Sequence, residues 1–389
     1  MTTRIAFMST TLLILLVTGA AIEAQEADIR QDDRGSRIQV KLVGQALIKR
    51  DLRPIAPGSV TQAREYLAGA DIVFTNLEGT VAPADAAVTP RSPTAAYGPP
   101  ALLDCLKDMG FNMLSLANNH AWDLQEAGIA TTRQAVAEGG FTHAGTGRNA
   151  AEALAPGYRE TPAGSVALIA MASGAVQLTP DTWAGPDKPG VNFLALGPDG
   201  ELDARQRLEI LNAVREAAAR ADLVVVYHHN HYWGENRGVD GPPGRETRID
   251  RFETPAWMER WARELVDVGA DLYVVHGNPA LHGVEIYKER LILYGLGNYI
   301  FHTRGGLDRY GPLAWYSVVA DAEFEDGRLT ALGFRPLVLA MDGDARGAPY
   351  LAQGGEASAI LGRLEDLSSR YGTRMRIDGE SAEVLFNEP

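Results

Sequence analysis

Only one cysteine, Cys105, occurs in a chain of 389 residues. A single thiol forms no internal disulfide, so the fold must rest on its core. Cys105 lies in an apolar, helical-looking stretch and is expected to be a buried packing residue. Low-complexity tracts and internal repeats are missing, which argues against a repeat array. Basic residues are in deficit, with 36 Lys and Arg against 50 Asp and Glu and a net charge of −14. Such a chain is not expected to bind nucleic acid or an anionic membrane surface, both of which call for a basic footprint. A long polyanion would need a local pocket or a metal to overcome the global field. Also absent are a Walker loop, a dinucleotide fingerprint, zinc-knuckle spacing and a nucleophile elbow.

What remains is an ordinary globular composition, 46% hydrophobic and 22% charged, long enough for a sizeable core. Residues 1–24 read as a secretory signal peptide. Arg4 supplies the basic start, residues 12–17 the apolar centre, and Thr18, Gly19, Ala20, Ala21 and Ala24 the small-residue exit. The apolar part is short for a membrane span, which needs about 20 residues. Cleavage near Ala21 or Ala24 is therefore expected over a retained anchor, and the protein is expected to be exported, periplasmic or extracellular. A polar linker, 25–36, leads into one domain spanning 37–389.

Within it, short apolar runs alternate with helical stretches. Strands are expected at 38–43, 71–75, 113–116, 166–171, 223–227 and 272–275, with a further apolar run at 291–301 in which Gly297-Asn298 is expected to turn beside the site. Helices are expected at 61–68, 100–109, 127–138, 203–221, 257–268 and 356–371. Later the texture becomes antiparallel, with strands at 316–324 and 329–340 joined at Glu325-Asp326-Gly327, and a final pair at 375–377 and 382–385. Residues 82–100 and 233–248, rich in Pro with Ala or Gly, read as a rim or lid and a long functional loop. The expected fold class is α/β, with two stacked mixed sheets flanked by helices.

The positions of the histidines carry the functional signal. His120, His228, His229, His231, His276 and His302 each stand at or just past the end of an apolar run. Ligands and catalytic groups in α/β folds gather at the carboxyl ends of strands. In His228-His229-Asn230-His231, extended geometry turns His229 and His231 to one face, as two metal contacts or one ligand and one proton shuttle. His228 faces the other way and is expected to be structural. Asn76 and Glu78, two apart, converge on one ligand or form a solvated strand end. Asn118-Asn119-His120 offers a hard amide ligand beside a proton donor, or plain turn chemistry. His276 closes another strand. His302 is ambiguous, and His143 reads as scenery. Glu, Asn and His together suit one divalent metal such as Mn, Fe or Zn, which would acidify a bound water and polarise a phosphoryl or carbonyl oxygen.

The segments ADIVFTNLEGTV (70–81), LSLANNHAWDLQEAGI (114–129), HNHYW (229–233) and GADLYVVHG (269–277) with GVEIYKERLILYGLGNYIF (283–301) resemble the bacterial capsule-synthesis CapA (PgsA-like, poly-γ-glutamate) family, which has a calcineurin-like metallophosphoesterase fold. That resemblance implies a four-layer sandwich. It would make Glu78 a carboxylate ligand and Asn119 an amide ligand, with His229 or His231 and His276 completing the shell. His120 would donate a proton to a leaving group, and His231 would be its catalytic companion. Gln45, Asn76, Asn118 and Trp233 would line the substrate side.

Two departures from the family pattern stand out. Gln45 occupies the place of an Asp, and Pro279 that of a His three residues after His276. Both losses weaken the same metal position, which points to one ion held by Glu78, Asn119, His229 and His276. His282 lies at another offset and is not expected to replace the missing His. Two functions remain open. One is an exported protein of capsule or poly-γ-glutamate synthesis or export, working on an envelope polymer or γ-glutamyl chain, with a membrane synthesis or export complex as its partner. The other is an active metal-dependent hydrolase of a phosphoester or γ-glutamyl amide with His120 as general acid.

Overall fold

The computed structural model describes residues 37–82, 88–174, 177–197, 199–232 and 252–386. The expected signal peptide, the linker, and the loop containing Trp233 lie outside the described residues. The strands that build the frame are β1 (Arg37–Leu42), β2 (Ile72–Asn76), β3 (Met113–Ser115), β4 (Thr142–Ala144), β5 (Gly157–Thr161), β6 (Gly164–Ser173), β7 (Leu223–Asn230), β8 (Leu272–His276), β9 (Val284–Tyr287) and β10 (Arg290–Leu293). They continue with β11 (Tyr316–Glu325), β12 (Arg328–Leu339), β13 (Pro349–Leu351), β14 (Arg374–Asp378) and β15 (Ser381–Leu385).

One nine-stranded sheet runs β14-β15-β12-β11-β1-β2-β3-β4, with β13 on β12. A six-stranded sheet runs β9-β10-β8-β7-β6-β5. The centres of both sheets are parallel, and the late strands β11, β12, β14 and β15 pair antiparallel. The β11–β12 turn uses Asp326 (φ 51) and Gly327 (φ 72), two consecutive left-handed residues that match the twist of a tight hairpin.

Strand alternation explains the layering. Ile72 and Phe74 of β2, Val225 and Tyr227 of β7, and Leu272 and Val274 of β8 share one core between the sheets. The intervening Val73 faces α1 (Pro57–Leu67) and α2 (Ala101–Met109). Val224, Val226, Tyr273 and Val275 face α4 (Ala204–Ala218) and α5 (Ala256–Asp267), while α3 (Gln125–Glu138) follows the segment that carries His120. Two faces per strand, each buried, give helix, sheet, sheet and helix layers. The last helix, α6 (Gly354–Ser369), sends Ala357, Ile360, Leu361 and Leu364 into the inter-sheet core. Among the described residues no helix is long and apolar enough to cross a membrane.

One expectation needs correction, and the turn expected at Gly297-Asn298 is met. The first helix begins at Pro57 rather than at 61, because proline is tolerated in a first turn, where its missing N–H has no partner to lose. The apolar run 291–301 is not one strand. It divides into β10 in the smaller sheet and Asn298–Phe301, which pairs with Gln45–Leu47. The break falls at Gly297, whose φ of 76 and close approach to the Tyr316 carbonyl (2.5 Å from a would-be Cβ) admit only glycine. His302 is thereby carried away from the end of the smaller sheet.

Candidate functional site

The two sheets present their carboxyl ends to one another. On β7, Tyr227 and His229 face inward, and His229 stands in register with His276 of neighbouring β8. From the larger sheet, Glu78 follows β2 and Asn119 follows β3. All four of Glu78, Asn119, His229 and His276 are at most 4% exposed.

His229 is the centre of the contacts. Its Nε2 lies 2.9 Å from Asn119 Oδ1, 3.1 Å from His231 Nε2 and 4.0 Å from Glu78 Oε1. Its Nδ1 lies 3.2 Å from the Tyr227 hydroxyl, a group that can either donate or accept and so serves both ring tautomers. Burial, reinforced by His231 and His276, holds the His229 ring well below the usual imidazole range, so it is neutral. Burial likewise pushes His276 down to about 3. Neither His276 nitrogen has a hydrogen-bond partner, and neither has Glu78 Oε2. Burial pushes the Glu78 carboxyl up to about 7 against the opposing pull of His120 and Lys49.

Buried polar atoms without partners are costly, about 1–3 kcal/mol each. One nitrogen of the His276 ring and the Glu78 oxygen, beside the Asn119 amide oxygen and His229 Nε2, are donor types that a borderline divalent ion takes. As the side chains stand, however, no three or more His, Cys, Asp or Glu among the described residues are arranged to hold a metal. These donor types suit such an ion, and the Glu78 carboxylate stands 4.0 Å from His229 Nε2.

His120 is set apart from this group. Its Nδ1 meets Asp123 Oδ2 at 2.6 Å, and the same oxygen accepts the Ala96 N–H at 2.5 Å. The Asp123 oxygen holds the Nδ1 side of the ring and leaves Nε2 turned away from that carboxylate. Asp123 was missed by sequence reasoning, although the spacing His-x-x-Asp across one turn was the available signal. Lys49 was missed as well. Its Nζ donates to the Ala95 carbonyl (3.3 Å), one residue from the amide that holds Asp123. No local sequence pattern announces a contact made through a distant rim segment.

Several residues expected at the substrate side also tie the fold together. Gln45 is 2% exposed, donates to Asn298 Oδ1 at 3.0 Å and accepts the Gly277 N–H at 2.8 Å. Asn118 donates to the Leu77 carbonyl (2.8 Å) and Asn76 Oδ1 (3.2 Å) while accepting the His120 N–H (3.0 Å). It ties the Glu78 and His120 segments together. Asn76 is fully buried and keeps only its Nδ2 unpartnered. Trp233 lies outside the described residues.

His228 faces away, bonded to the Tyr273 hydroxyl and Ser173 Oγ at 2.7 Å each. His282 donates from Nδ1 to its own loop at the Ala280 carbonyl, 3.3 Å away. Gly277 is required after His276: its φ is 113, and a Cβ there would sit 2.1 Å from the Asn230 carbonyl oxygen.

Residues 39–303 match the family described as bacterial capsule synthesis protein PGA_cap. An uncharacterized protein of Sinorhizobium fredii, y4sH, is 29% identical over 86% of this chain and 90% of its own length. The capsule biosynthesis protein CapA of Bacillus anthracis is 26% identical over 76% of this chain and 68% of its own. A probable polyglutamine synthesis accessory protein of Mycobacterium tuberculosis, Rv0574c, is 26% identical over 78% and 74%. A solved hypothetical protein from Thermus thermophilus superposes with a TM-score of 0.44 at 14% identity, over 81% of this chain and 99% of its own, a likeness too weak to argue from. With the match running through every segment that builds the site, this chain belongs to the bacterial capsule synthesis protein family PGA_cap.

Proposed function

We propose that this chain is an exported accessory protein of capsule or poly-γ-glutamate synthesis or export, with one divalent metal ion, Mn, Fe or Zn, held by Glu78, Asn119, His229 and His276. The role follows the relatives named for capsule biosynthesis and polyglutamine synthesis. Export rests on the basic start and short apolar segment of residues 1–24. The observation that carries the metal is the set of buried, unpartnered atoms at Glu78 Oε2 and both His276 nitrogens. When bound, such an ion polarises a phosphoryl or carbonyl oxygen and acidifies a bound water.

Around it, the chain's own groups position the donors. The Tyr227 hydroxyl orients His229, and Gln45 grips Gly277 beside His276. One ion rather than two fits the committed amide of Gln45 and the proline at position 279, neither of which offers a charged ligand.

The His120–Asp123 pair favours a second reading, a hydrolase of a phosphoester or γ-glutamyl amide. With Nδ1 committed to Asp123, Nε2 of His120 is free to hand a proton to a leaving group. A phosphodiester and γ-glutamyl hydrolysis screen with and without added Mn separates the two readings. Turnover that needs Mn and vanishes in His120→Ala supports the hydrolase. Tight binding of a γ-glutamyl polymer without turnover supports the accessory role. Neither binding nor turnover overturns both.

A further inference from the structure

The rim of the site carries positive charge that the chain as a whole lacks. Lys49 and Arg50 follow the short strand Gln45–Leu47, and Arg304 follows Asn298–Phe301, the strand that pairs with it. The Lys49 backbone N–H donates to His302 Nδ1 at 3.0 Å, which fixes these two strand ends against each other. The Lys49 ammonium reaches back over the site to the Ala95 carbonyl. The next amide, Ala96 N–H, holds the Asp123 carboxylate that in turn holds His120. The ammonium and the His120–Asp123 pair therefore share one two-residue support. Arg304, by contrast, is exposed.

Three observations make this arrangement more than a solvated edge. First, among the described residues neither Lys49, Arg50 nor Arg304 forms an ion pair, although acidic side chains outnumber basic ones 50 to 36. Arg50 uses a guanidinium N–H on the backbone carbonyl of Asp344 rather than on its carboxylate. Second, Lys49 is half-buried, and Arg304 stands two residues past His302, whose ring accepts the Lys49 N–H; burial first, and then Arg304, lowers the ammonium from its usual range, while Asp123 and Glu78 act to raise it. Third, His302 adds a donor and no acceptor. Accepting from Lys49 N–H through Nδ1 puts its ring proton on Nε2, which is buried and has no partner. Cations gathered at two paired strand ends without carboxylate partners favour an anion that joins them.

We propose that Lys49 and Arg304 form an oxyanion subsite beside the His120–Asp123 pair, binding a carboxylate or phosphate of the molecule handled there. The proposal rests on the reading of the His120 region as the working site, but not on the metal. Lys49 and Arg304 lie outside the four-donor set. The subsite would hold a charged group adjacent to the one facing His120, and so align a chain that carries anionic groups at intervals.

The test is calorimetric titration of the full-length chain, kept in chelator, with two probes: a γ-linked glutamate hexapeptide and inorganic phosphate. Lys49→Met keeps the aliphatic stem, and exposed Arg304→Gln leaves the core untouched; thermal melts check both. Each variant is expected to weaken the binding of the favoured probe by roughly tenfold or more, and the double variant further, with Lys49→Arg restoring most of the loss. Binding by each variant should also depend less steeply on salt than binding by the wild type. Preference for the hexapeptide assigns a carboxylate source, and preference for phosphate assigns a phosphate source. A double variant that binds like wild type, or a wild type that binds neither probe at millimolar concentration, overturns the subsite. Because chelator is present throughout, a failed metal assignment leaves this result readable, and an unchanged Lys49→Met in a metal-replete protein counts against the subsite alone.

Discussion

His229 Nε2 lies 2.9 Å from Asn119 Oδ1, a contact between residues 110 positions apart that joins the carboxyl ends of the two sheets. β7 delivers the ring and the turn after β3 delivers the amide. Neither sheet alone brings a neutral imidazole and a hard oxygen donor together. The stacking of the sheets thus creates the site, and the inter-sheet core that holds the stack also fixes the distance between its donors.

The Tyr227 hydroxyl is the partner of His229 Nδ1 and is itself fully buried. Tyr227→Phe removes that partner and frees the ring to turn. Divalent metal affinity, measured by competition with a coloured chelator, is expected to fall about 10- to 100-fold. An unchanged affinity would remove His229 from the shell.

Gln45→Leu tests the structural account of Gln45. Both partners, Gly277 N–H and Asn298 Oδ1, are buried and would lose their hydrogen bonds. The expected cost is about 2–4 kcal/mol in denaturant unfolding, with the m-value unchanged. A loss below about 0.5 kcal/mol would mean that Gln45 does not carry the Asn298–Gly277 link.

The pH dependence of stability has a specific source at His228. Burial pushes this imidazole from 6.5 down to about 3. Its folded value is depressed, so the unfolded chain takes up a proton that the folded chain refuses. The stabilising contribution is full above about pH 6.5 and is lost as pH falls toward about 3, at about 1.4 kcal/mol per pH unit. His228→Gln should flatten the fall in stability between about pH 6 and 4 by that amount, since the other buried histidines still titrate. The same slope in variant and wild type would mean that His228 is charged in the folded state.

Much of the architecture was legible because each central strand announces itself as a short apolar run, and each helix by its periodic face. The histidines at strand ends marked the site for the same reason: strand ends in such folds are where side chains meet. Two features were not legible. The hydrogen bonds of Gln45 to Gly277 and Asn298 follow only from the fold. Lys49 reaches the site through a rim segment some forty residues later in the sequence, and a contact of that kind has no local signature.

A single divalent ion between the sheets is what the proposed function depends on most. Its most direct test is elemental analysis of the purified chain after loading with excess Mn or Zn and removal of free ion, with a His229→Ala, His276→Ala double variant alongside. One ion per chain is expected in the wild type and none in the variant. Two tightly bound ions per wild-type chain, or none, would contradict the single-ion site.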